Sequence, residues 1–169
     1  MTGRVEAIHI APEAGAPMEP RTRVRAAVGG GLDGDRYTTG TGHWSAIRRS
    51  GDGLTVVAAE AIEAVNAEHD LELAPGDTRR NVTVRGVDLD RLIGRQFMIG
   101  SVRVRGVRRC EPCQYLEGLL DKPVLVPLVH RGGLRVEVLA GGDITVGDEI
   151  TIEVEATLTP SATASPALG

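Results

Sequence analysis

The stretch "TRRNVTVRGVDLDRLIGRQFMIGSVRVRGVRRCEPC", residues 78–113, decides the fold. Its alternating apolar and polar residues predict three short strands, at 81–84, 96–99 and 102–107. The segment 89–92 predicts one turn of helix, and Gly100 indicates a tight turn between the last two strands. Many short strands joined by glycine turns predict a mainly β, barrel-like domain rather than alternating β-α-β units.

The flanking sequence adds further strands and one longer helix. "RVEAIHI" predicts a strand over Val5–Ile10, and 134–155 predicts a strand, a Gly-Gly turn and a last strand after Gly147-Asp148. From Val56 onward an Ala-rich segment predicts a helix of about three turns. Its stripe consists of Ala59, Ile62, Val65 and His69. The segments "VGGGLDGDRY" and "GTGHWSAIRRSGDG" predict loops, because glycine permits backbone conformations that other residues avoid.

Length and charge restrict the class of protein. The chain has 169 residues and a formal net charge of −4. We expect one domain at 1–155, followed by a disordered tail at 156–169, which is rich in Ala, Ser, Thr and Pro. The negative charge gives no general attraction for nucleic acid or for an anionic membrane, so any anion site must be local.

The rest of the composition points to a reduced, cytoplasmic protein. The few aromatic residues, which predict an aliphatic core and no platform for stacking bases, are Trp44, Phe97, Tyr37 and Tyr115. No apolar run has the length of a signal peptide or a membrane span. Two cysteines do not make a disulfide framework. We therefore expect no membrane and no nucleic-acid partner.

Both cysteines, Cys110 and Cys113, lie in "VRRCEPCQYL" at 107–116. A structural zinc site needs four ligands, and the sequence has no second pair to complete one. A thioredoxin-like redox pair fits the predicted strand before the motif and helix after it, but that fold needs a parallel β-α-β context. Both interpretations stay open beside a third, a single working thiol.

The single-thiol interpretation favours Cys113. A helix is predicted to begin there, with Pro112 in a first-turn position, so unpaired N–H groups would favour the thiolate. Arg108 and Arg109 just upstream would act in the same direction. The plain alternative is that Cys113 is a small buried apolar side chain, as many free cysteines are.

Three ordered pieces of the chain resemble the MOSC domain family, the module found at the C-terminus of molybdenum cofactor sulfurases. They are "GLDGDRY", the run at 78–113, and "HRGGLRVEVLAGGDITVGDEI". The resemblance covers most of residues 3–153 and implies a β-barrel-like fold with a cleft. It also implies that Cys113 carries sulfur as a persulfide or ligates the molybdenum of a pterin cofactor. Cys110 lies outside the family pattern and could act as a resolving thiol.

The resemblance implies further cofactor-binding residues. Arg79 and Asn81 match an R-x-N element that holds the phosphate or pterin end, and Arg80 could be the phosphate partner instead. A guanidinium grips phosphate through two N–H groups, although an arginine can equally form a surface ion pair. Asp35 and Arg36 match a "GDR" element, with a turn-forming carboxylate as the alternative role of Asp35.

Two further positions qualify the resemblance. His130 precedes "RGG" and is expected near the cleft, as acid, base, ligand or structural residue. Tyr37 stands where family members often have histidine, which weakens any proton-transfer role at that position.

Three functions follow as hypotheses. The first is a sulfur carrier linked to molybdenum cofactor chemistry, supplied by a sulfur donor. The second is a molybdenum-dependent subunit that reduces N-hydroxylated compounds with a separate electron-transfer protein. The third is a non-catalytic module that binds an anion. The chain has no room for the pyridoxal-phosphate domain of full sulfurases, and it leaves the oligomeric state open.

Overall fold

The computed structural model describes residues 2–43, 45–46 and 49–153. Within them, ten strands form: β1 (Gly3–Ile10), β2 (Glu19–Arg21), β3 (Arg23–Ala26), β4 (Leu54–Ala58), β5 (Val82–Arg85), β6 (Gln96–Ile99), β7 (Val102–Arg109), β8 (Leu134–Ala140), β9 (Gly142–Thr145) and β10 (Glu149–Ile152). The helices are α1 (Arg36–Thr39), α2 (Ala59–His69) and α3 (Gln114–Leu120), with 3-10 turns at Pro75–Thr78 and Leu89–Leu92. The predicted tail at 156–169 lies outside the described residues.

Seven of these described strands close into a barrel, which confirms the predicted fold class. Around the barrel the order is β10-β6-β7-β8-β4-β5-β1, and β1 pairs back to β10 through Gly3 and Ile150. Closure removes the open sheet edges that a flat sheet would expose. β2 extends the sheet from β1, while β3 and β9 form a separate two-stranded ribbon.

One β-α-β unit interrupts the antiparallel pattern, and here the sequence-based prediction is wrong. β4 and β5 pair in parallel, with Val56 opposite Val82, and α2 connects them. Val56 lies in strand β4, so the helix begins at Ala59 rather than at Val56. Because four successive residues of β4 are buried, its apolar run lacks the alternation that marks a strand with one face in solvent.

Most other predicted bounds agree with the structure. Leu89–Leu92 and Gln96–Ile99 are as predicted, and β7 continues two residues further, to Arg109. β9 does not fold back on β8 after the Gly-Gly pair but pairs with β3. No helix among the described residues is both long and apolar enough to cross a membrane.

The apolar side chains form two clusters. The larger one fills the barrel and centres on Phe97, the largest of its fully buried side chains. The smaller cluster joins α2 to α3, through residues such as Ile62, Val65 and Leu116, and Cys113 packs against it. The larger cluster therefore stabilises the barrel, and the smaller cluster holds the segment that carries the Cys113 thiol.

Replacing Phe97 by alanine should lower the free energy of unfolding by about 3–5 kcal/mol, because a buried ring leaves a cavity that the barrel cannot close. Denaturant-induced unfolding measures the change. Val28, which is 63% exposed, offers the matched control: Val28→Ala should change stability by less than about 0.5 kcal/mol. A Phe97→Ala variant as stable as the control would contradict the central place of this ring.

Candidate functional site

Cys113 lies at the junction of β7 and α3. It is the residue before the first turn of α3, with an extended backbone (φ −139°, ψ 165°), and its thiol is free and half-buried. Pro112 therefore precedes the helix, and its predicted first-turn position is wrong. The helix begins at Gln114 because the extended backbone of Cys113 cannot continue it backward.

Cys110 is placed differently from Cys113. Its side chain is 1% exposed, and its N–H donates to the Gly133 carbonyl at 2.7 Å. Between Cys110 and Cys113 the chain has neither turn nor bend. An extended chain separates the first and fourth Cα atoms by about 10 Å, whereas a disulfide needs roughly 4.4–6.8 Å. A disulfide between the two cysteines would therefore require the backbone to refold.

Cys113 opens onto a cavity of about 250 Å³, which we call the thiol cavity. Among the described residues that line it are five arginines: Arg36, Arg49, Arg79, Arg80 and Arg135. Its two acidic residues are already paired, Asp52 with Arg108 and Glu111 with His130. Although the whole chain carries a net charge of −4, this cavity is locally positive. The sequence predicts that an anion site must be local, and this cluster has that character.

Arg79 has a guanidinium that is only partly satisfied within the described residues. Its backbone is left-handed (φ 57°), and its half-buried guanidinium donates from Nη1 to the Ala16 carbonyl at 2.7 Å. Nη2 is buried without a hydrogen-bond partner, and no described carboxylate forms an ion pair with Arg79. Burial lowers the pKa of Arg79 from its ordinary value, and the neighbouring Arg36 adds to the lowering. A bound anion would supply the missing partner.

Arg80 is committed to the protein backbone instead. Its Nε–H donates to the Gly132 carbonyl at 2.7 Å, and Nη2 donates to the carbonyls of Cys110 and Glu111. These bonds tie the segment before Cys113 to the loop before β8. Arg80 therefore builds the wall of the thiol cavity, and Arg79 has the freer donors for a ligand.

Asp35 connects the two predicted motifs through buried hydrogen bonds. Its fully buried carboxylate accepts from four donors: Ala11 N, Tyr37 N, Arg36 Nη1 and Asn81 Nδ2. Arg36 in turn donates from Nη2 to the Arg79 carbonyl at 3.3 Å. Asp35 therefore fixes Arg36, which holds the unusual backbone of Arg79.

Asn81 also acts through its neighbours. Its Oδ1 accepts from both the N–H and the hydroxyl of Thr55, and its Nδ2 donates to the His9 carbonyl as well as to Asp35. Neither Asn81 nor Asp35 is among the residues that line the thiol cavity. The structure thus brings Arg79, Arg80 and Cys113 to one cavity and leaves Asp35 and Asn81 outside its lining.

His130 lies elsewhere. It occupies an exposed left-handed turn (φ 61°), and its Nδ1 is 3.2 Å from Glu111 Oε1. It lines a separate small cavity with Asp90 and Arg131, not the thiol cavity.

The thiol cavity contains residues that the sequence did not single out. Arg49 lies far from Cys113 along the chain, so no local pattern connects the two, whereas Arg36 belongs to the "GDR" element. Tyr115 could have been noticed, because it follows Cys113 by two residues in the first turn of α3. Its ring stacks on His43 with centroids 3.8 Å apart.

The arginines expected to favour the thiolate are not the ones in the cavity. Arg108 pairs with Asp52, and Arg109 pairs with Asp90. Neither lines the thiol cavity. On β7, these two side chains are drawn to carboxylates beside the strand, so distant arginines supply the positive charge instead.

The described residues hold no group of three or more His, Cys, Asp or Glu side chains arranged for a metal ion. A metal at Cys113 would therefore need ligands that this part of the chain does not provide.

Comparisons with known proteins identify one family and several solved structures of similar fold. Residues 50–151, more than half of the chain, match the model of the MOSC domain. YuaD from Bacillus subtilis has a TM-score of 0.75 at 19% identity, with 90% of this chain and 96% of that chain covered. YiiM from Geobacillus stearothermophilus has a TM-score of 0.70 at 15% identity, covering 92% and 77%. YiiM from Escherichia coli has a TM-score of 0.64 at 17% identity, covering 91% and 70%.

At these identities the structural likeness shows the fold alone. A search of curated proteins found no match.

Asp35→Asn should lower the free energy of unfolding by about 3 kcal/mol, because it leaves Arg36 buried without its charge partner. Asp143→Asn is the control, since its partners Arg23 and Arg25 are 67% and 65% exposed and such pairs contribute about 0–1 kcal/mol. Chemical denaturation of both variants tests this. Equal losses would show that Asp35 is an ordinary turn residue.

Stability should also depend on His9, whose pKa burial lowers from 6.5 against the opposing effect of Asp77. Below pH 6.5, His9 binds a proton in the unfolded chain more readily than in the folded chain. The free energy of unfolding therefore falls as the pH falls. His9→Gln should flatten the stability profile between pH 6.5 and about 5, above the range where carboxylates titrate. His69→Gln, on an exposed face, is the control. Parallel profiles for His9→Gln and the wild type would refute the assignment.

Proposed function

This chain belongs to the MOSC domain family, which is associated with the molybdenum cofactor, and we propose that Cys113 is its sulfur-carrying thiol. The observation that supports the proposal most is the thiol cavity itself. A free, half-buried cysteine opens beside Arg79, whose charge lacks a carboxylate partner among the described residues. Such a cavity suits a nucleophilic sulfur acting next to an anion.

The transfer is a displacement at sulfur. The Cys113 thiolate attacks the outer sulfur of a persulfide on a donor protein. The sulfur–sulfur bond of the donor breaks, and its electron pair leaves with the donor thiolate. Cys113 then holds the persulfide, and the outer sulfur passes to an acceptor nucleophile in a second displacement of the same kind. Atoms and electrons balance without an oxidant.

The arginines stabilise the anionic species in this sequence. The thiolate and the persulfide are both anions, and cations in a partly buried site lower their energy more than cations in water do. Arg80 keeps the segment before Cys113 in place through three backbone carbonyls, so the sulfur meets its partner from a fixed position. Cys110 is buried and has no step in this mechanism.

The residues present also fit a molybdenum–pterin cofactor. Arg79 offers donors for its phosphate, and Tyr37 and Tyr115 contribute aromatic surface to the cavity wall beside its heterocycle. Cys113 offers a soft sulfur ligand. When bound, this group supplies metal-centred electron transfer and a destination for sulfur.

A second candidate function rests on that fit. In a molybdenum-dependent reductase of N-hydroxylated compounds, Cys113 would be the protein's ligand to the metal, and a separate protein would deliver electrons. The thiol cavity, as far as the described residues show it, holds Cys113 as its one half-exposed thiol. That arrangement suits a single protein ligand beside a cofactor that brings its own sulfurs.

Intact-mass spectrometry and metal analysis of protein from a host that makes the cofactor distinguish the two candidates. As a carrier, the wild type should show a mass increase of one sulfur atom that a reducing agent removes. Cys113→Ser should lose it entirely, whereas the control Cys110→Ser should keep it. As a reductase, the wild type should contain molybdenum, and Cys113→Ser should lose the metal.

Two results would contradict the proposal. If Cys110→Ser abolished sulfur loading as completely as Cys113→Ser, the cysteines would act as a redox pair. If neither sulfur nor metal were present, and Cys113→Ser bound inorganic phosphate as tightly as the wild type while Arg79→Gln bound it weakly, the chain would be a non-catalytic anion-binding module.

A further inference from the structure

A second cavity adjoins the thiol cavity. It has a volume of about 270 Å³, and Tyr37, Arg49 and Asp52 line both cavities. The two cavities therefore lie side by side, and Arg49 is one of the residues between them. We call the second cavity the glycine cradle, because Gly29, Gly30, Gly51 and Gly53 line it.

The cradle exists because two loops meet backbone to backbone. A Cβ atom on Gly31 would lie 1.9 Å from the Gly53 carbonyl oxygen, and one on Gly53 would lie 2.2 Å from the Gly30 carbonyl oxygen. No side chain fits at either position. At Gly30 and Gly29 the opposite holds, since a Cβ would meet nothing closer than 3.7 Å. The loops thus present bare backbone to an open space.

The charges around the cradle leave a positive excess. Asp52 is shared by Arg108 and Arg135, and Glu137 is paired with Arg105. Within the described part of the chain, Arg49 forms no ion pair. Every carboxylate that lines the cradle is therefore neutralised, while the cation at its junction with the thiol cavity is not.

We propose that the glycine cradle binds a second anionic group, of the phosphate type, belonging to the ligand that occupies the thiol cavity. This inference rests on the proposed function for the first half of that ligand. The donors suit phosphate: they are the Arg49 guanidinium and the hydroxyls of Ser45 and Ser50, beside glycines whose lack of a side chain lets an anion approach closely. The ligand is then elongated, with one anionic end beside Arg79 and a second near Arg49.

The binding of inorganic phosphate and inorganic pyrophosphate to the full chain, followed by amide NMR shifts at constant ionic strength, tests the proposal. Both ions should shift amides of 29–31 and 51–53 as well as those near Arg79. Arg49→Gln should weaken binding at the cradle about tenfold, the range expected when a charge-assisted hydrogen bond is lost. The shifts near Arg79 should persist.

A second variant tests the open volume of the glycine cradle rather than the charge of Arg49. Gly30→Leu should fill the cradle without strain, because its Cβ is unobstructed and its backbone is not left-handed. It should abolish the cradle shifts. Two substitutions outside both cavities are the controls and should bind as the wild type does: Arg91→Gln, with a side chain 83% exposed, and Gly118→Leu, where a Cβ meets nothing within 4 Å.

The outcomes separate this inference from the proposed function. If Arg49→Gln and Gly30→Leu both bind the two ions as the wild type does, the cradle is not an anion site, and sulfur loading of Cys113 is unaffected. If the ions bind the cradle but Cys113 never carries sulfur or molybdenum, the proposed function fails while the cradle remains a phosphate site. If Arg79→Gln abolishes every shift, including those at 29–31, the cradle has no affinity of its own and the inference is wrong.

Discussion

The carboxylate of Asp35 is the contact on which the site depends. It is fully buried and accepts four hydrogen bonds, from the residue after β1, from α1 and from the segment before β5. A buried charge is costly unless it is paired, and this one is paired with Arg36. Through Arg36, which also donates to the Arg79 carbonyl, the buried pair holds together segments that are far apart in the chain.

This contact explains how an acidic protein gathers cations in one place. Arginines repel one another, so a cluster of them needs either counter-ions or rigid supports. Here Arg36 has Asp35, Arg80 has backbone carbonyls, and Arg135 shares Asp52 with Arg108. Arg79 and Arg49 have no described carboxylate partner; Arg79 lines the thiol cavity, and Arg49 lines both cavities. Arg36, Arg80 and Arg135 thus have partners within the protein, whereas Arg79 and Arg49 retain positive charge that a ligand could pair with.

Much of the fold could be predicted from sequence because alternating burial is a local property. The strands from Gln96 to Arg109 and the helix Ala59–His69 carry their periodicity in their own residues. Strand β4 could not be separated from that helix, since a strand buried on both faces has no alternation. The site was only partly predictable. Cys113 and Arg79 stand out in their motifs, but the position of Arg49 depends on loop packing that no pattern shows.

The structure distinguishes two cysteines that look equivalent in the sequence motif. Their spacing suits a redox pair, yet the chain between them is extended and Arg80 holds the carbonyls of Cys110 and Glu111. Folding that segment back to form a disulfide would break these bonds and leave a buried guanidinium short of acceptors. The same bonds that oppose a disulfide keep the Cys113 thiol open to the cavity. Because both effects come from Arg80, the exposure of Cys113 as a single thiol is a consequence of how the cavity wall is built.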